Sequence, residues 1–429
     1  MQRRLAHPVD LEVDGMSLRL HGRSYARASF AVFALFSSSS TAGAGERKSE
    51  FCYTEEVIPP LGIPDEASDF FVDLDQSGRV LLTAAQGPFG ESDDASEAFT
   101  RAYVWAGAEP QPIEVEGFAQ TDGLALNERG EVLVRAAVET GAADEVVWGH
   151  AVVWKAGEVV ATIPAPDGLS FDEGRINAHG HVALRSEYDY TSDTPVHAYL
   201  WRGDALADLG ESELHDFNDA DEVVGFDRAV PGYVVWRGTE RRVLPTSCRS
   251  PVDSPDEARV NRHGRVAAAF ECDSRQIGMT WAGDEALELP GEGVWIGDLN
   301  DHGDIVGSVV LEERRAPALW RDGELTVIPL PQGVEGGHIA EINEQGRFIG
   351  TFEIDFIPYF FVGDSDGAQQ LSDQWGGVMV VGEINDAGVI VNAVAGDDGE
   401  FETTSIWRPC AVEGIRSGVI NHKSGSRDG

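Results

Sequence analysis

The stretch Gly293-Val294-Trp295-Ile296-Gly297-Asp298-Leu299-Asn300-Asp301-His302-Gly303-Asp304-Ile305-Val306-Gly307 decides the architecture of this chain. It reads as a short strand, a four-residue turn opening at Asn300, and a second short strand. Asn at the first position of a type I turn accepts a hydrogen bond from the backbone two residues on. Gly at the fourth position takes the left-handed conformation that closes a hairpin with a bulge. Ala318-Leu319-Trp320 then forms a third strand, Arg321-Asp322-Gly323 turns the chain, and Leu325 to Leu330 forms a fourth. Four short strands in one such unit match the blade of a β-propeller.

The unit recurs eight times. Its turns open at Asp75, Asn127, Asn177, Asn218, Asn261, Asn300, Asn343 and Asn385, at spacings of 52, 50, 41, 43, 39, 43 and 42 residues. Seven turns have Gly in the fourth position, and the fourth copy has Asp221, a residue type that tolerates the left-handed conformation next best. The third strands carry Trp105, Trp154, Trp201, Trp236, Trp281, Trp320 and Trp407, with Phe361 in the seventh copy. Such rings are expected to fill the wedge between neighbouring sheets. Strand-built repeats of this length mean a ring or array of small sheets.

The expected fold is all-β: an eight-bladed β-propeller of four-stranded blades, closed by an N-terminal strand that pairs into the last blade. The last copy runs out after Trp407, whereas Val57-Ile58-Pro59 resembles the fourth strand Val327-Ile328-Pro329 and has no blade of its own. Residues 50–410 therefore read as a single domain and 411–429 as a flexible tail.

The chain has four Cys, which permit three pairings. In the frame of the repeat, Cys52 and Cys410 both fall in the turn between third and fourth strands, at the seam. Cys248 follows a fourth strand and Cys272 a second strand, at the same end of adjacent units. The preferred pairing is therefore Cys52–Cys410 and Cys248–Cys272.

The leader supports an oxidising destination. Arg19, Arg23 and Arg27 precede the apolar run Ala28 to Phe36, and Ala42-Gly43-Ala44 offers a small-residue cleavage site, so residues 1–44 read as a signal segment with Met16 as a candidate start. The run is too short to span a bilayer. The expected address is secreted, extracellular or periplasmic. The formal net charge is -42, which disfavours nucleic acid and anionic membrane surfaces as partners. Cationic groups, glycans or basic protein patches remain as partners, to a chain expected to be monomeric.

Propeller topology puts the first–second and third–fourth turns at one end and the longer, variable connections at the other. Binding groups sit preferentially on variable loops over a rigid frame. The candidate ligand-binding residues are therefore Asp93, Asp94 and Glu97 in one loop, Tyr188, Asp189 and Tyr190 in another, and Asp397 and Asp398 in a third. Trp148, Trp295 and Trp375 fall outside the anchor positions, and Trp295 and Trp375 join the candidates because aromatics beside carboxylates suit sugars or cationic groups. No catalytic residue is assigned. Phosphate-loop and dinucleotide patterns are absent from the sequence, as are CxxC pairs and HExxH. Asp73-Leu74-Asp75-Gln76-Ser77-Gly78 and Asp298-Leu299-Asn300-Asp301-His302-Gly303-Asp304 carry calcium-loop residue types without the final bidentate carboxylate, so no cofactor is expected and calcium stays an alternative.

The runs His197-Ala198-Tyr199-Leu200-Trp201 and His150-Ala151-Val152-Val153-Trp154, with Asn300-Asp301-His302-Gly303-Asp304-Ile305-Val306-Gly307, resemble the HAF-repeat family. The resemblance covers about residues 50–410. It implies a secreted bacterial repeat protein of propeller type and no established activity. Most units lack the His before the Trp run. The reading that follows is an exported, non-catalytic binding scaffold. A propeller hydrolase or lyase acting on glycans through channel carboxylates, and a calcium-stabilised surface protein, are the alternatives.

Overall fold

The computed structural model describes residues 51–61, 67–86, 100–139, 146–166, 168–187, 195–228, 232–246, 248, 255–354, 357–371, 379–395 and 401–410. The leader and the C-terminal tail lie outside these residues. Within them the chain is all strand and turn, with no helix.

The repeat opening at Asn300 shows the common plan. Its strands a to d, Trp295–Leu299, Ile305–Leu311, Arg314–Arg321 and Glu324–Val327, pair antiparallel in chain order. Six four-stranded sheets of this kind and one seven-stranded sheet make up the described fold. The seven-stranded sheet arises because Leu206–Phe217 serves both as strand d of repeat 3 and as strand a of repeat 4, with no loop between them. The sequence had suggested two strands here.

The turns follow the expected chemistry. Asn261 Oδ1 accepts from the backbone N–H of His263 (3.1 Å) and Arg265 (3.0 Å), while Gly264 N donates to Asn261 O. Asp221, the one exception to Gly, has φ of 58°. It carries a compensation. In repeats 2 and 4 the Asn Nδ2 group donates to a Glu four residues on, Glu131 or Glu222. Repeat 3 has His181 at that place, and Asp221 of the next repeat accepts from both Asn177 Nδ2 (2.8 Å) and His181 Nδ1 (2.7 Å). We expect Asp221→Gly to destabilise by about 1–2 kcal/mol in guanidinium unfolding, although it relieves backbone strain, because the buried Asn177 amide and the part-buried His181 ring lose their acceptor. A neutral or stabilising result would remove this account.

The same Asn residues join one repeat to the next. The Nδ2 groups of Asn127, Asn177, Asn218, Asn261, Asn300 and Asn343 donate to the carbonyl of the following repeat's turn residue at 2.8–3.2 Å. Asn385 Nδ2 donates in the same way to Asp75 O (3.0 Å), linking the last repeat to the first. Asp75 has no such donor. Its neighbour Arg79 binds Asp75 Oδ2 and reaches Glu128 O, so an arginine takes over the link to repeat 2.

Eight apolar clusters each draw on two repeats, and each holds one of the aromatic anchors. The cluster around Trp105 joins Ile58, Leu74, Val80 and Leu82 to Val389, Val391 and Ile406 of the last repeat. Trp281 and Trp320 also donate Nε1–H to Pro245 O and Pro290 O of the preceding repeat.

The two chain ends share a sheet. Tyr53–Val57 pairs with Phe401–Pro409, from Tyr53↔Pro409 to Val57↔Ser405. The strand starts earlier than the sequence suggested, and Ile58 rather than Val57 is the buried apolar residue. Cys52–Cys410 and Cys248–Cys272 are both bonded, as the repeat frame implied. Cys410 N donates to Cys52 O (2.9 Å), so the first bridge stands where other repeats have a continuous turn between strands c and d. Stable bridges of this kind belong to oxidising compartments. Among the described residues, no helix is long and apolar enough to cross a membrane.

Candidate functional site

Of the candidate ligand-binding residues, Trp295 alone is described. Asp93, Asp94, Glu97, Tyr188, Asp189, Tyr190, Trp375, Asp397 and Asp398 lie outside the described residues. What the structure does show at the variable end is the start of each strand a and the close of each strand b. The fifth residue before the turn is Asp122, Asp172, Glu213, Trp295 and His338 in repeats 2, 3, 4, 6 and 7.

In repeat 2, Arg135 Nε donates to Asp122 Oδ2 (2.7 Å), and its guanidinium lies 4.6 Å from the centre of the Trp148 ring. In repeat 3, Arg185 grips Asp172 with two bonds (3.0 and 2.9 Å) and sits 2.8 Å from Glu173, which also binds Arg175 at 3.1 Å. Repeat 4 places Glu213 beside Arg228 (2.9 Å) and His215 Nε2 (3.6 Å). Repeat 5 pairs Arg259 with Glu257 (2.6 Å) and turns its Nε toward Gly297 O (3.0 Å). Acids and arginines thus alternate over four repeats. Among the described residues here, each of these acids has an arginine partner, within a strongly acidic chain.

Several of these groups have shifted protonation. His215 Nδ1 accepts from Ala258 N (3.1 Å), so the ring proton of its neutral form resides on Nε2, facing Glu213. His215 and Arg228 together hold the Glu213 carboxyl down at about 2, against the cost of its partial burial. Burial pushes the Asp216 carboxyl up, opposed by Arg259 and by the Val260 N–H it accepts at 2.8 Å. Burial, helped by the Arg315 charge, brings His338 down to about 4, so its ring is neutral at physiological pH. A folded-state pKa below the unfolded one gives Glu213 a stabilising contribution that is present above about 4.3 and is lost as pH falls through about 2. The melting temperature of Glu213→Gln should therefore fall less steeply between pH 5 and about 2 than that of the parent. Parallel pH profiles would remove this assignment.

The acids two residues before the turns serve the frame. Asp73, Asp216 and Asp298 accept backbone N–H from Leu126, Val260 and Ile342 of the following repeat, and Glu383 accepts from Leu74. The calcium-like loops are occupied in the same manner, since Asp75 binds Ser77 and Arg79 and Asp304 binds Arg321. Among the described residues, no group of three or more His, Cys, Asp or Glu side chains is placed to hold a metal ion.

At the opposite, short-turn end, adjoining depressions of about 330 and 370 Å³ share Arg321 and Asp322. His302 stands at the second of them, 3.0 Å from Glu344. Part of the variable-end cluster, Asp122, Asp172 and Glu213, was legible as an offset of five residues from the turns of repeats 2, 3 and 4, a signal the loop-based reading passed over.

No family model matches the chain, and no curated protein does. Solved structures do show likeness. A streptogramin B lyase has a TM-score of 0.41 at 11% identity, over 83% of this chain and 98% of that one. A catalytically inactive virginiamycin B lyase from Staphylococcus aureus with quinupristin scores 0.40 at 9%, over 84% and 100%. YCF48 bound to a D1 peptide scores 0.43 at 10%, over 84% and 96%.

Proposed function

We propose that this chain is an exported, non-catalytic binding scaffold. In this reading the eight repeats close into an eight-bladed ring, and ligand is met at the end bearing the variable loops. Closure is supported by three bonds that repeat the inter-repeat pattern between last and first units: Asn385 Nδ2 to Asp75 O, Asp386 N to Gln76 Oε1, and Leu74 N to Glu383 Oε2. The resemblance to HAF-repeat proteins and the two disulfides fit an exported chain.

One observation carries the non-catalytic reading. At the variable end, Asp122, Asp172, Glu173, Glu213 and Glu257 are each engaged by an arginine. A general acid–base pair needs one carboxyl free to take up and release a proton near neutral pH. Acids locked in ion pairs instead make a rigid, pre-formed surface, which lowers the entropic cost of binding.

The test uses the full chain on glycan and peptide arrays, alongside Arg228→Ala at the variable end and Arg129→Ala at the short-turn end. Binding should fall at least about 5-fold for Arg228→Ala and stay unchanged for Arg129→Ala. The reverse order, or conversion of a bound probe into products, would refute the proposal.

A further inference from the structure

Trp295 and His338 begin strands a of adjacent repeats, and their rings meet edge to face with centroids 5.0 Å apart and planes at 79°. They differ from the rest of the variable end. There, among the described residues, arginines and acids satisfy one another. Among the described residues, neither the Trp295 indole nor the His338 imidazole makes a hydrogen bond, and neither is sealed from solvent. His338 pairs across the strands with Thr351, whose buried Oγ1 is also without a partner. One donor on Trp295, one donor and one acceptor on neutral His338, and two flat apolar faces are thus gathered on the innermost strands of repeats 6 and 7.

The charges around the pair narrow the ligand. Arg315, anchored on Ser308 Oγ at 3.0 Å, projects positive charge onto His338 and disfavours a cation there. An anion must approach against a formal net charge of -42. A ligand without charge meets neither penalty. Sugar rings present apolar C–H faces to aromatic rings and hydroxyls that both donate and accept.

We propose that Trp295 and His338 form a recognition site for an uncharged saccharide, a placement that deepens the binding-scaffold reading above and rests on it. Trp295 supplies a face and an Nε1–H donor. His338 supplies a hydrogen bond in either sense. Burial, with the Arg315 charge beside it, holds the ring neutral, so the donor–acceptor pattern is constant through the neutral pH range.

The experiment titrates the full chain with neutral hexasaccharides of glucose, N-acetylglucosamine and xylose, following indole and imidazole NMR resonances and calorimetric affinity. Spermidine and oligogalacturonate serve as charged probes. A neutral hexasaccharide should shift the Trp295 and His338 resonances. Trp295→Ala and His338→Ala should each weaken binding by about 10-fold or more, the loss expected for a hydrogen bond plus ring contact. His338→Gln, which keeps a donor and an acceptor, should recover most of the affinity and guards against a folding artefact. Absence of binding by all three neutral probes, or affinity in both alanine variants equal to that of the parent, overturns this site. If saccharide binds undiminished in those variants but is lost in Arg228→Ala, the site fails while the scaffold reading survives. If a charged probe binds better than every neutral one, the ligand class is wrong. Hydrolysis or elimination of a bound probe refutes the parent reading as well.

Discussion

Asn261→Ala is expected to lower the unfolding free energy by about 3–5 kcal/mol, because one side chain serves three backbone partners. Its Oδ1 satisfies the N–H groups of His263 and Arg265, its Nδ2 satisfies Asn300 O in the next repeat, and its own carbonyl takes the Asn218 Nδ2. The first three bonds are lost in Ala, at a place buried from water. Guanidinium unfolding of the single variant measures the loss, and a change under about 1 kcal/mol would show that the ladder is decorative. Two further substitutions separate geometry from charge. Asn261→Asp reproduces the native arrangement of repeat 1, where Asp75 is followed four residues on by Arg79, since repeat 5 has Arg265 there. Asn300→Asp sets a carboxylate beside Asp304. Asn300→Asp should therefore be the more damaging of the two.

Replacing Cys52 and Cys410 with Ser is the second large effect. The bridge spans a sequence separation of 358 residues, and the chain-entropy relation gives an upper figure of about 6 kcal/mol for such a loop. The strand it secures, Tyr53–Val57, is mostly exposed on its outer side and is held otherwise by its pairing with Phe401–Pro409 and by Ile58. The double variant should melt well below the parent and be cut early by protease at its N-terminal strand. Removing Cys248–Cys272, with a separation of 24 residues, should cost less, about 3 kcal/mol by the same relation. Equal losses for the two bridges would mean that the seam does not depend on its covalent link.

The turns show how far a linear reading reaches. Asn or Asp followed by Gly three residues on is a local requirement, set by one side-chain acceptor and one left-handed backbone, so it appears in sequence wherever it appears in space. Asp221 illustrates the limit. The sequence shows that Gly is missing, whereas its role as acceptor for Asn177 and His181 exists only because the next repeat packs against theirs. The variable-end cluster behaves likewise. Asp172 and Arg185 lie 13 residues apart and become a bidentate pair through strand register. The merged strand Leu206–Phe217 could not be foreseen, because it exists only where its first half pairs with His197–Trp201 of one repeat and its second half with Glu222–Asp227 of the next.

The sequence by itself determined the all-β class, the eight turn sites, the aromatic anchors and the pairing of the four cysteines, because each depends on short-range backbone chemistry or on a repeating frame. Only the tertiary structure decided which carboxylates brace the frame, which arginines neutralise which acids, and that Trp295 and His338 meet with no hydrogen-bond partner among the described residues. Those properties depend on distances between repeats, set by the packing of whole sheets rather than by neighbours along the chain.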